Sequence, residues 1–196
     1  MKLVAATGNQ GKLRELRSIL TGHELLSQSE LGIGGAEETG STFVENAILK
    51  ARHAAHASSL PALADDSGLE VPALAGAPGI YSARFAGPGA TDADNCNCLL
   101  DKLGDNTDRR ARFRCVLVVM RHALDPAPLI CQGSWQGEIA AAIAGSNGFG
   151  YDPLFIPDGF DCTAAELDAA VKNELSHRGQ ALQELLARLP AFLADK

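Results

Sequence analysis

Two adjacent acids, Asp65 and Asp66, follow the apolar run Pro61-Ala62-Leu63-Ala64 and precede Ser67-Gly68. Carboxylates side by side at the end of a strand repel one another unless a cation or hydrogen bonds compensate. A divalent cation would do so, and Mg2+ commonly takes one or two carboxylates together with phosphate oxygens and water. A turn in which the Asp side chains bond local backbone would serve equally. Glu37 and Glu38 either complete such a metal site or form a solvated acidic turn. A second stretch, Thr7-Gly8-Asn9-Gln10-Gly11-Lys12, follows an apolar run and opens a helical pattern. Free N–H groups at a helix start hold anions, and Lys12 adds a full charge. The stretch is not a P-loop, because two residues separate its glycines and Leu13 follows the lysine. A plain turn with a surface lysine fits it as well.

Gly148-Phe149-Gly150-Tyr151-Asp152-Pro153 sets two rings among glycines. Glycine lets backbone approach a flat ligand while a ring packs on its face, and Asp152 offers a polar end; a tight turn with buried rings is the alternative. Lys172, His177 and Arg178 suit recognition of phosphate and a base edge, or else form a solvated basic face. His53 and His56, three apart on one helix, have no further metal-ligand cluster nearby in sequence.

These residues need elements to position them. Leu3-Val4-Ala5-Ala6 reads as a strand, and Leu13, Leu16, Arg17 and Leu20 as the helix after the glycine turn. Thr42-Phe43-Val44-Glu45 is a capping box, followed by an apolar face of Val44, Ala47, Ile48, Ala51, Ala54 and Ala55. Residues 61–64 form a second strand that places the acid pair at its end, with extended structure resuming at Leu69. Residues 75–89 read as a long loop and Thr91-x-x-Asp94 as a helix start. Segments 112–121 and 128–138 make a hairpin about Asp125-Pro126-Ala127. Thr163-x-x-Glu166 opens a further helix, and Leu175, Leu182, Leu185, Leu186 and Leu189 outline a closing one before Pro190. The class is α/β with a mixed sheet.

The chain has 196 residues, a size suited to one domain over 1–196. Seventeen Lys+Arg against 24 Asp+Glu give a net charge of -7, and 5% of residues are aromatic. That balance argues against coating a nucleic acid. The longest apolar run, 115–120, is far short of the roughly 20 residues needed to span a bilayer. With no secretory pattern, the expectation is a cytoplasmic protein without a membrane partner. Five cysteines without a C-x-x-C pair suit reduced thiols.

Taken in series, six stretches resemble the inosine/xanthosine triphosphate pyrophosphatase family. They are 7–12, 38–47, 63–69, Gly76-Ala77-Pro78-Gly79-Ile80-Tyr81-Ser82-Ala83-Arg84, 148–153 and Ser176-His177-Arg178-Gly179. They occur in the family's order and span the chain nearly end to end. The resemblance implies a homodimer of elongated α/β subunits, a mixed sheet with flanking helices and two lobes around a central active-site cleft. It implies Mg2+-dependent conversion of non-canonical purine nucleoside triphosphates (ITP, dITP, XTP) and water to monophosphate and pyrophosphate. By the same resemblance Thr7, Gly8, Asn9, Gln10, Gly11 and Lys12 hold the triphosphate, Glu38 and Asp66 bind the metal, Asp66 is the general base, and Ser67 contacts substrate. Phe149, Gly150, Tyr151, Asp152, Lys172, His177 and Arg178 match positions for base and phosphate recognition. Asp65 is a neighbouring acid without an assigned role, and Lys50 and Arg84 fall where the family can place further cations. Two other readings are a Maf-like pyrophosphatase and a nucleotide-binding regulator without turnover.

Overall fold

Apolar runs buried on both faces make the centre of the sheet. The computed structural model describes residues 2–194. In chain order the elements are β1 (Lys2–Ala5), α1 (Gln10–Ile19), β2 (Glu24–Ser27), α2 (Phe43–Ser58), β3 (Ala62–Glu70), α3 (Asp92–Leu103), β4 (Arg110–Met120), β5 (Leu129–Ile139), β6 (Phe155–Pro157), α4 (Ala169–Leu175) and α5 (His177–Ala194). They build one six-stranded sheet in the order β2-β1-β3-β4-β5-β6. β1 lies parallel to β2 and to β3, and β5 lies antiparallel to β6, so the sheet is mixed and the class is the expected α/β.

Two compact units divide the chain. The first comprises Met1–Asp66, Cys115–Gln132 and Gln180–Lys196. Strand alternation sorts its side chains to two faces. Leu3, Ala5, Leu63, Cys115 and Leu117 pack with Leu13 and Leu16 of α1 and with Leu182, Leu185 and Leu189 of α5. Val4, Ala6, Ala62, Ala64, Val116 and Val118 face the stripe Ala47, Ala51, Ala54 and Ala55 of α2. The second unit, Ser67–Arg114 and Gly133–Gly179, has its own core of Leu69, Leu99, Leu103, Phe113, Trp135, Tyr151, Leu154 and Phe155.

Three helix starts form as their residue types dictate. Asn9 caps α1 by accepting from the Lys12 N–H, Thr42 caps α2 by accepting from Glu45, and Thr91 with Asp94 closes a full capping box on α3. β4 and β5 are sheet neighbours joined through 121–128, the expected hairpin.

Four expectations are corrected. β3 does not stop before Asp65 but runs unbroken to Glu70, because each acid finds a cation on its own face of the strand. The stretch 75–89 is not wholly loop, since Gly79–Arg84 forms a 3-10 helix, preceded by another at Pro72–Leu74. Glu166 Oε2 accepts from the Thr163 N–H and hydroxyl, but the Glu166 N–H goes to the Thr163 carbonyl and not to its hydroxyl, so the box is half made and no helix begins there. That backbone bond closes a turn, the N–H groups of Ala164 and Ala165 go to the carbonyls of Phe155 and Asp152, and α4 starts at Ala169. Finally α5 continues through Pro190 to Ala194. Proline removes the bond to the carbonyl four residues earlier, and Leu186, at 40% exposed, lies where water can serve that group. Leu175, expected on the closing helix, ends α4 instead, where Ser176 turns extended; it and Leu186 stand outside the core, whereas Leu182, Leu185 and Leu189 are in it.

Candidate active site

In a strand, consecutive side chains point to opposite faces. Asp65 thus shares the face of Leu63 and meets α1, where its Oδ1 lies 2.6 Å from Lys12 Nζ. The Cys115 thiol donates to its other oxygen at 3.4 Å. Asp66 shares the face of Ala62 and Ala64 and meets α2. Lys50 Nζ lies 2.5 Å from Asp66 Oδ1, donates to Glu38 Oε1 at 3.1 Å and to the Asp65 carbonyl at 2.8 Å. Lys50 belongs to the alanine stripe of α2, one residue before Ala51. Gly40 docks the segment carrying Glu38 onto α2: its N–H donates to Asn46 Oδ1 at 2.8 Å, and a Cβ there would stand 2.6 Å from Glu45 Cβ.

Burial pushes the Asp66 carboxyl above its usual range, with Lys50 holding part of that rise back. Burial opposes the charge on Lys50, but Asp66 foremost, then Glu38 and Asp65, outweigh it and raise the ammonium. Asp66 Oδ2 is buried without a hydrogen-bond partner. An unpartnered carboxylate oxygen beside a second carboxylate is a hard-donor set, so these residues fit a divalent cation of the Mg2+ type. His53 and His56 do not join them: His53 Nε2 lies 2.9 Å from the Gly34 carbonyl on the exposed side of α2.

At the start of the first unit, Thr7 Oγ1 accepts from the Asn9 N–H at 3.1 Å. Gly8, Asn9 and Gln10 are exposed, Gly11 is buried in α1, and a Cβ on Gly8 would meet nothing. This exposed turn leads into the first N–H groups of α1, which lack intrahelical acceptors.

The second unit gathers the other expected residues. Asp152, Lys172, His177 and Arg178 are 3%, 6%, 5% and 2% exposed, so the basic residues are not a solvated face. Lys172 Nζ lies 2.6 Å from Asp152 Oδ2, which also accepts from the Phe149 N–H at 2.8 Å. The Phe149 ring faces two cations, Lys172 Nζ at 4.9 Å and Arg178 Cζ at 5.5 Å from its centroid. Arg178 also donates to Ser67 Oγ at 2.9 Å. His177 stacks on Phe113 with centroids 4.6 Å apart and planes at 9°. Gly179 makes the tight junction of α4 and α5 possible, since a Cβ there would fall 2.0 Å from the Asn173 carbonyl. Tyr151 is placed differently from Phe149: it is 3% exposed in the core, and its hydroxyl donates to the Ser82 carbonyl at 2.9 Å. Arg84 lies over the Tyr81 ring at 5.3 Å.

Sequence reading left Asp65 without a role and missed Phe113 and Asp92. Asp65 is the counter-ion of Lys12, and Phe113 is the platform for His177. Asp92 accepts from the Gly150 N–H at 2.7 Å. For Lys50 a signal existed, a lysine inside an alanine face.

Residues 3–188 match the Ham1 family. The dITP/XTP pyrophosphatase of Vibrio cholerae is 57% identical over 188 residues, 94% of each chain. A dITP/XTP pyrophosphatase of Shigella flexneri is 58% identical, covering 96% of this chain and 98% of that one. Among solved structures, a HAM1 protein from Coxiella burnetii has a TM-score of 0.91 at 51% identity, over 97% of this chain and 99% of that chain. Agreement of this extent, in sequence and in fold, means that the chain belongs to the Ham1 family.

Proposed function

We propose that the protein hydrolyses non-canonical purine nucleoside triphosphates (ITP, dITP and XTP) to the monophosphate and pyrophosphate, clearing deaminated purines before they enter DNA or RNA. The carrying observation is the Glu38, Lys50 and Asp66 cluster, in which a buried carboxylate oxygen has no hydrogen-bond partner. The relatives named dITP/XTP pyrophosphatase support the substrate class.

Glu38 and Asp66 would hold Mg2+, which when bound would draw negative charge from the phosphate oxygens. Thr7 to Gly11 receive the triphosphate on the exposed turn and the first N–H groups of α1, and Lys12 adds its charge. Asp66 takes a proton from water, whose oxygen forms a bond to the α-phosphorus as the bond to the bridging oxygen breaks and pyrophosphate leaves. Burial raises its carboxyl in the direction that a base working near neutral pH needs. Ser67, held by Arg178, contacts substrate.

Phe149, Gly150, Tyr151, Asp152, Lys172, His177 and Arg178 recognise the base. Tyr151 does so from the core, by fixing the loop. A 6-oxo purine offers an acceptor where adenine offers an amino donor, so buried N–H donors aimed at that position reject adenine by being left unpaired. The protein acts as one catalytic domain, in a homodimer and in the cytoplasm, without a nucleic-acid partner.

The test is incubation with Mg2+ and, separately, dITP, XTP, dATP and dGTP, with the phosphate product identified. Pyrophosphate from dITP and XTP, with little from dATP or dGTP, is expected, and Asp66→Asn should lower kcat by about 10²–10⁴-fold. Orthophosphate as the product, or undiminished turnover by Asp66→Asn, overturns the reading.

A further inference from the structure

Gly150 separates the two aromatic residues whose placements differ most. Phe149, half-buried, lies beneath Lys172 and Arg178, while Tyr151 is in the core. Its φ of 61° is the left-handed conformation that lets the chain turn between those environments. Both polar groups of Gly150 go to one helix. The N–H donates to Asp92 Oδ2 at 2.7 Å, and the carbonyl accepts from Cys96 Sγ at 3.4 Å. Residues four apart share a helix face, so Asp92 and Cys96 form a two-point clamp on the first turns of α3. The same side of α3 continues into Leu99 and Leu103, both buried in the second core, and the Thr91 capping box fixes its start. The clamp therefore stands on an anchored support.

We propose that Asp92 and Cys96 are positioning residues for purine selectivity, holding Gly150 so that the Phe149 ring keeps its place under Lys172 and Arg178. Asp152 secures the loop from inside, through the Phe149 N–H and Lys172, and α3 secures it from the other side. Each bonds the Gly150 peptide and acts on the Phe149 ring through it. The inference rests on the proposed base-recognition role of this loop.

Asp92 is solvent-exposed, so its substitution leaves the core intact. Asp92→Ala removes the acceptor, whereas Asp92→Asn keeps an oxygen for the Gly150 N–H and loses only the charge at the helix start. Two readouts are needed, amide exchange at Gly150 by NMR and steady-state kinetics with dITP and dATP. In Asp92→Ala, Gly150 exchange should accelerate, KM for dITP should rise about tenfold with kcat within about twofold, and preference for dITP over dATP should fall. Asp92→Asn should restore all three, and Cys96→Ala should give a smaller change in the same direction. The inference is overturned if Asp92→Ala keeps wild-type exchange and selectivity, or if Asp92→Asn is damaged equally, which would assign the effect to helix-start charge. A wild-type protein that fails to convert dITP would sink the functional reading, while exchange at Gly150 would still decide whether the clamp exists.

Discussion

Lys50 places an ammonium where the two proposed metal ligands converge, and that position defines its contribution. Breaking a buried ion pair from one side costs about 3–5 kcal/mol, because the remaining charge keeps its desolvation penalty. Lys50→Met leaves Glu38 and Asp66 facing a thioether. In a chelator its melting temperature should fall by about 6–20 °C, given roughly 2–4 °C per kcal/mol at this size. Mg2+ should then raise the melting temperature of Lys50→Met more than that of the wild type, because the added cation replaces the missing one; equal shifts would show that ammonium and metal do not use the same oxygens. Composition and spacing made the acid pair visible as chemistry, but not its division of labour. Asp65 and Asp66 look interchangeable in a sequence, and they differ because one faces Lys12 of α1 and the other Lys50 of α2. The same holds for Phe149 and Tyr151, paired on paper and separated by the turn at Gly150.

Elements were legible where a local bond defines them. Asp125 shows why: its carboxylate accepts from the Arg121 N–H at 3.0 Å, from Arg121 Nε at 2.9 Å and Nη2 at 2.8 Å, and from the Ala127 N–H at 3.1 Å. All partners lie within the β4 to β5 connection, so the Asp-Pro signal and the structure coincide. The Arg121 hydrogen bonds hold the Asp125 carboxyl well below the usual carboxylate range. A depressed pKa in the folded state stabilises above the unfolded value, near 3.9, and that contribution fades as pH falls toward the folded value. Asp125→Asn should therefore be less stable than wild type by about 2 kcal/mol at pH 7, with the gap narrowing steadily below about pH 4. Urea denaturation at both pH values checks this, and a constant gap would mean that lost packing is the cause. Where tertiary partners compete for the same groups, local signals misled. Glu166 accepts from Thr163, yet its own N–H closes a turn on the Thr163 carbonyl, Phe155 and Asp152 take the N–H groups between, and the helix waits for Ala169. Pro190 reads as a stop, but the exposed side of α5 tolerates the lost bond.

At the scale of the molecule, alternating strand and helix patterns gave the α/β class, whereas the strand order depends on pairings between distant segments that no local pattern encodes. The division into two units falls in telling places. The chain passes from one to the other at 66/67 in β3, 114/115 in β4, 132/133 in β5 and 179/180 in α5. Every crossing lies inside a hydrogen-bonded element instead of a linker, and Asp66 ends the first unit where Ser67 begins the second. Unfolding one unit alone would strip the pairing from part of β3, β4 and β5 together and leave three frayed strand ends on the other, so independent unfolding should cost nearly as much as unfolding the whole. Leu117, 0% exposed in the first core, offers the test. Leu117→Ala should destabilise by about 2–5 kcal/mol through lost burial and the cavity left behind. Because the strands are shared, hydrogen exchange should speed up by the same factor at Trp135 and Phe155, in the second core, as at Leu63 in the first. A second core that stays protected while the first exchanges would show instead that the units open separately, and that continuity of three strands through both units does not by itself make their unfolding cooperative.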